Sequence, residues 1–142
     1  DADARGLICG LTRGAGRAHL VRAALEAVAF QNVDLLTAME ADLGHELTEL
    51  RIDGGMVGND FLCQFQADVL GRPVSRPRQR ESTALGAALL AGLGTGVWPD
   101  LAALAGLWQE EARFEARIDP AERAARMAGW QKAVGLCLST RQ

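Results

Sequence analysis

The sequence predicts an α/β domain, and three observations carry that expectation. Strand-like apolar runs alternate with helix-period segments along most of the chain, the order that builds a sheet covered by helices. The strand candidate ending at Ile52 passes through Gly54-Gly55 directly into a helical pattern, as strand-to-helix turns do. The 142 residues, 49% apolar and 23% charged, suit one globular domain.

Leu7–Leu11 is a short apolar run expected to form a strand or strand end, followed by a glycine-bearing turn over Thr12–Gly16. From Arg17 to Leu43 the spacing of Leu20, Ala24, Val28, Leu35 and Met39 predicts a long helix, closed by Gly44. Leu47–Ile52 reads as a strand. Val57–Leu70 returns to helical spacing, with Phe61, Phe65 and Val69 on one stripe and Gly71 at the end. Pro73–Ser75 is a short strand candidate with its proline at the start, and Pro77–Arg80 a polar loop. Ser82–Leu93 predicts an alanine-rich helix whose interior Gly86 is expected to let a neighbour pack closely. Trp98-Pro99 marks a turn and Asp100–Ala105 a helical turn. The last helix opens on Asp119 as cap, with Pro120 in the first position and Glu122 three residues after the cap. Its stripe is Met127, Trp130, Val134 and Leu138.

A net charge of −3 without a Lys/Arg run argues against nucleic-acid partners. No apolar stretch reaches the length of a membrane span, and no basic segment precedes an apolar core as in a signal peptide. Cys9, Cys63 and Cys137 stand singly, which fits neither a disulfide framework nor a zinc site. They read as small buried hydrophobes in a reducing compartment.

The chemistry-bearing segment is Asp53-Gly54-Gly55-Met56-Val57-Gly58-Asn59-Asp60. Glycines at a strand end permit positive φ and close approach of a ligand to the backbone, and a following helix start offers unpaired amides to a phosphate. Asn59, in the first turn, places an amide within reach of a ribose or base edge. A tight turn with no ligand explains the same residues about as well. Arg13 is a candidate anion contact, with plain solvation the commoner role for an exposed arginine. His19, Arg22 and Glu26 have the spacing of a surface ion-pair row. No nucleophile-and-base arrangement and no P-loop motif is present.

At these residues a specific likeness emerges. Gly6-Leu7-Ile8-Cys9-Gly10-Leu11, then His19-Leu20, then Ala23-Ala24-Leu25-Glu26 resembles the second signature of the FGGY family of carbohydrate kinases. Gly10–Gly14, Asp53–Val57, Gln64–Asp68, Thr83–Ala88, Gly96–Trp98 and Gly129–Val134 resemble the glycerol-phosphorylating branch of that family. The resemblance implies a ribonuclease-H-like, actin-like ATPase fold. In that family two such domains face each other across a cleft, polyol mainly on the N-terminal one and ATP largely on the C-terminal one. Residues 1–142 are expected to be a single partial domain, the later half of the C-terminal domain. The implied reaction moves the γ-phosphate of ATP to glycerol with Mg²⁺ as cofactor, catalysed by positioning and charge stabilisation.

By position, Gly55 would give its backbone N–H to the nucleotide phosphates with Gly54 beside it, and Asn59 would contact adenosine. The catalytic aspartate and the polyol contacts belong to family segments upstream of Asp1, so no catalytic or metal residue is assigned here. Asp53 is given a structural role. Gly58 stands where the branch often has alanine, a change expected to loosen the helix start slightly. The parent protein is expected to be cytoplasmic, homo-oligomeric and inactive as this piece alone. Another polyol or sugar kinase of the family, or a non-catalytic nucleotide-binding module, remains the alternative.

Overall fold

The computed structural model describes residues 4–139. The first element is α1 (Arg17–Leu43), ended by Gly44 in the left-handed conformation, φ 73°. Strand β1 (Leu50–Arg51) leads through a 3₁₀ turn, Gly55–Gly58, into α2 (Asp60–Leu70). β2 (Val74–Pro77), α3 (Ser82–Gly94), α4 (Leu101–Ala105), β3 (Glu110–Phe114) and α5 (Pro120–Ser139) follow.

The sheet order is β1-β2-β3, with β1 parallel to β2 and β3 antiparallel to β2. Register places Leu50, Val74 and Phe114 side by side, and Arg51, Ser75 and Arg113 side by side. Because side chains alternate across a strand, the first set shares one face and the second set the other. The apolar face carries the helices. Ala29 of α1 and Leu62, Phe65 and Val69 of α2 form the core, with Val28, Phe30 and Val33 packed against it. Trp130 of α5 stacks on Phe30 at 5.4 Å and donates its indole N–H to Asp34 at 2.6 Å, closing a three-helix layer. The opposite face is ionic. Arg113 reaches Glu49 at 3.0 Å and Glu115 at 2.9 Å, and Arg51 reaches Glu49 at 2.9 Å and lies over the Trp108 ring.

Several expectations are corrected. Leu7–Leu11 is not a strand: no described strand pairs with it, and Leu7, Ile8 and Leu11 are exposed. An apolar run without a partner ladder has nothing to hold it extended. β1 is shorter than Leu47–Ile52, although Leu50 and Ile52 still donate to Pro73 and Ser75 carbonyls. The buried face of α1 runs through Ala29 and Leu36, while Leu20, Leu35 and Met39 of the expected stripe are exposed. That helix is apolar around much of its circumference, so periodicity alone does not select a face. β3 was not anticipated. Its Glu110-Glu111-Ala112-Arg113-Phe114 is too charged to look like a strand, since its outward face is the ionic one. In α3 no residue is buried, and nothing packs within 4 Å of where a Gly86 side chain would sit. The caps hold: the Asp119 carboxylate accepts from the Glu122 amide at 2.8 Å. The Glu122 carboxylate pairs with Arg126 at 2.6 Å rather than reaching back. Cys63 is buried as expected, but Cys9 is exposed and Cys137 half-buried, and none is in a disulfide.

Candidate functional site: a glycine turn between sheet and helices

The turn from Asp53 to Asn59 is held by main-chain bonds at both ends. Gly54 donates to the Arg80 carbonyl at 2.9 Å and accepts from Val57 at 3.3 Å. Its φ of 91° and ψ of 177° lie in a region open essentially to glycine alone. Gly55 is not at positive φ, and the space beside its Cα is open. The division of labour differs from the sequence expectation: Gly54 makes the turn possible, and its N–H is already occupied, while Gly55 leaves the approach clear. The amides of Gly55 and Met56, first in the 3₁₀ turn, have no hydrogen-bond partner among the described residues. Helix starts leave such donors unpaired, which is what an anion requires.

Asn59 sits between the 3₁₀ turn and α2 as N-cap, its Oδ1 accepting from the Leu62 amide at 3.2 Å. One acceptor site of its oxygen is therefore used by the helix, and the side-chain NH₂ is free to donate to a ligand. The helix begins at Asp60, three residues later than expected from Val57, because the 3₁₀ turn intervenes. Asp53 is exposed, and among the described residues its side chain makes no hydrogen bond or ion pair, so no contact supports its expected structural role.

Beside the turn lies a cleft of about 410 Å³ between β1, α1 and α2. Its walls are mainly apolar, including Val28, Leu36, Met56 and Leu62. Arg51 and Asp53 also line it, and two amides add polarity: Asn32 donates to Gln66 Oε1 at 2.7 Å, and Gln66 donates to the Ala29 carbonyl at 3.3 Å. The Cys63 thiol, also on the wall, donates to the Val57 carbonyl at 3.2 Å. Burial pushes its pKa up, so it stays a thiol.

Behind the turn stand residues that the sequence reading missed. Arg76 of β2, 7% exposed, donates through Nη1 to the Val57 carbonyl at 2.8 Å and to Asp60 at 2.7 Å. Arg80 pairs with Glu111 of β3 at 2.9 Å. One of its guanidinium nitrogens would lie 3.0 Å from a side chain at Gly58, so the missing methyl there leaves room for this arginine. The signal was the alternation in β2: Arg76 falls on the face of Val74, and an arginine on an apolar face implies a buried partner. The other candidates do not join the site. Arg13 is exposed and makes no hydrogen bond or ion pair with the turn. His19 accepts from the Gly16 amide at 3.1 Å, capping α1, and only Arg22 and Glu26 of the expected row pair, at 2.7 Å. Among the described residues no group of three His, Cys, Asp or Glu could hold a metal ion, and no helix is long and apolar enough to cross a membrane.

Residues 1–95 match the model of the FGGY family of carbohydrate kinases, C-terminal domain. The chain is 56% identical over 134 residues to a glycerol kinase of Dechloromonas aromatica, covering 94% of this chain and 27% of that protein. Among solved structures it is similar to glycerol kinase of Plasmodium falciparum with ADP, at TM-score 0.83 and 36% identity, over 98% of this chain and 28% of that one. It is also similar to xylulose kinase of Rhodospirillum rubrum, at TM-score 0.73 and 28% identity, over 94% of this chain and 27% of that one. The chain thus spans little more than a quarter of the length of the relatives it matches. These likenesses bear out the ribonuclease-H-like, actin-like α/β fold.

Proposed function

The chain belongs to the FGGY family of carbohydrate kinases, and on that premise we propose that it supplies part of the ATP site of a glycerol kinase. Such an enzyme moves the γ-phosphoryl group of ATP onto a hydroxyl of glycerol, giving glycerol 3-phosphate. Residues 1–142 serve as a single partial domain, the later half of the nucleotide-side C-terminal domain. The higher identity to glycerol kinases than to a xylulose kinase favours glycerol over another polyol or sugar.

One observation carries the reading: open amides at Gly55 and Met56, in a turn whose glycine leaves the approach clear. Phosphate oxygens are the acceptors that these amides suit, and ADP is bound by a relative similar over nearly the whole chain. Gly54 shapes the turn, Gly55 donates to phosphate, and the Asn59 NH₂ contacts the adenosine part. Mg²⁺ bound with the nucleotide would neutralise phosphate charge; among the described residues no group of three His, Cys, Asp or Glu is placed to hold it. The catalytic base and the polyol contacts are assigned to no residue here. Cytoplasmic location, with three cysteines outside any disulfide, and homo-oligomeric assembly of the whole enzyme belong to the same proposal.

The test uses Asn59→Asp. Aspartate caps a helix as well as asparagine, so thermal stability stays within about 0.5 kcal/mol of the parent. The substitution removes the free NH₂ and adds a negative charge, so MgADP affinity falls. Unchanged affinity, measured by titration calorimetry, removes Asn59 from the site, and no MgADP binding by the unmodified chain removes the site itself. In a coupled assay the chain alone shows no ATP- and glycerol-dependent turnover, since positioning both substrates supplies most of the rate in phosphoryl transfer. Turnover above background refutes the assignment of base and polyol contacts elsewhere.

A further inference from the structure

We propose that Arg76 is a positioning residue for the nucleotide, clamping the Val57 peptide so that the Gly55 and Met56 amides stay open while masking the charge of Asp60; this rests on the reading of that turn as a nucleotide site. The Val57 peptide is gripped from both sides. Its N–H donates to Gly54 at 3.3 Å, and its carbonyl accepts from Arg76 Nη1 at 2.8 Å and from the Cys63 thiol at 3.2 Å. The same Nη1 binds Asp60 Oδ1 at 2.7 Å, in the first turn of α2. One guanidinium group therefore ties the end of the 3₁₀ turn to the start of the helix. Without it, the turn rests on its two contacts through Gly54, on the Asn59 N–H donating to the Met56 carbonyl at 3.1 Å, and on the thiol.

Arg76 is held in turn from β3, outside the stretch that matches the family model. Its guanidinium lies 5.3 Å from the centre of the Phe114 ring, and Glu111 Oε2 lies 3.3 Å from its Nε. That Nε is buried and makes no hydrogen bond. A buried guanidinium is a poor device for stability alone, even with the Glu111 carboxylate beside its Nε, because an apolar side chain of similar size avoids its desolvation. What an apolar side chain does not provide is a donor shared between a carbonyl and a carboxylate. The charge matters as well. The Asp60 side chain is 75% exposed and stands within the same segment as the open amides. Unneutralised, it repels a phosphate group, and Arg76 is its partner.

The experiment compares the full chain with Arg76→Met, Arg76→Lys and the double variant Arg76→Met/Asp60→Asn, by MgADP titration and by hydrogen exchange of the 53–62 segment. Measurements are made at a temperature where near-ultraviolet circular dichroism shows each variant folded. Arg76→Met weakens MgADP binding roughly tenfold and speeds exchange in that segment while α1 and α5 keep their rates. Arg76→Lys, which retains the charge, falls between, and the double variant recovers part of the affinity because the unmasked carboxylate is gone. A merely structural arginine lowers the melting temperature and leaves the affinity of the folded molecules and the local exchange unchanged, and that result overturns the proposal. If Arg76→Met does not fold, Arg76→Lys decides, since native affinity and native exchange in it also overturn the clamp. If the unmodified chain binds no MgADP, the nucleotide reading fails and the proposal with it, whereas loss of affinity without faster exchange overturns the clamp alone.

Discussion

Gly54→Ala isolates the conformational demand of the turn. At φ 91° and ψ 177° an alanine is strained whatever its surroundings, at about 1–3 kcal/mol. No clash adds to this, because nothing lies within 4 Å of the new methyl group. Stiffening the unfolded chain returns about 0.4–1 kcal/mol, so the net loss is about 1–2 kcal/mol. If the turn relaxes instead, the bonds to Arg80 and from Val57 go with it, and the loss is no smaller. Gly55→Ala is the matched control one residue away. It has neither positive φ nor crowding, so it is neutral or slightly stabilising. Urea unfolding followed by circular dichroism measures the difference, which is about 2 kcal/mol, or roughly 6 °C in melting temperature for a chain of this size. Equal stability of the two variants refutes the assignment of the strained position to Gly54. The control also separates fold from ligand: Gly55→Val keeps the fold but blocks phosphate approach, so it weakens MgADP binding, and native affinity in it removes Gly55 from the site.

Asp119→Ala removes the side-chain acceptor of the Glu122 amide and destabilises the chain by about 1 kcal/mol; a loss below about 0.3 kcal/mol in the same urea assay argues that α5 needs no cap. The Arg72 guanidinium and then the Leu47 amide, both donating to Glu40, hold its carboxyl below the ordinary carboxylate range. A pKa lowered in the folded state gives stability that is complete above the unfolded value, about 4.3, and is lost as pH falls through the folded one. Acid titration of Glu40→Gln is therefore flatter than that of the parent below that pH, and superimposable curves refute the pairing. Leu85 and Leu90 on α3, with Ile8 and Leu11, are exposed, and β1 is an open sheet edge. The chain accordingly self-associates as concentration rises, and sedimentation showing a concentration-independent monomer contradicts this.

How much was legible in the amino-acid order varies with how local each cause is. The ends of α1, Gly44 and Gly71 as left-handed caps, Asp119 as the cap of α5, and the run of Asp53–Asn59 from sheet into helix all follow from neighbours within a few residues. Such features are written in short-range chemistry, and so was the family likeness, which depends on residue identities and not on contacts. Tertiary structure decided what depends on distant partners. Leu7–Leu11 has the composition of a strand but no ladder, while the charged Glu110–Phe114 is a strand because β2 pairs with it. The face of α1 that is buried was settled by where α2 lies, not by periodicity. Within the site, the sequence pointed to the glycine pair and Asn59, but only the backbone angles distinguish Gly54 from Gly55, and only the fold shows the Asn59 oxygen capping α2. Arg76 became visible last. A sequence shows an arginine two places after a valine, and its meaning arises only when β3 and the turn close around it, because burial of a charge is a property of the surroundings and not of the residue.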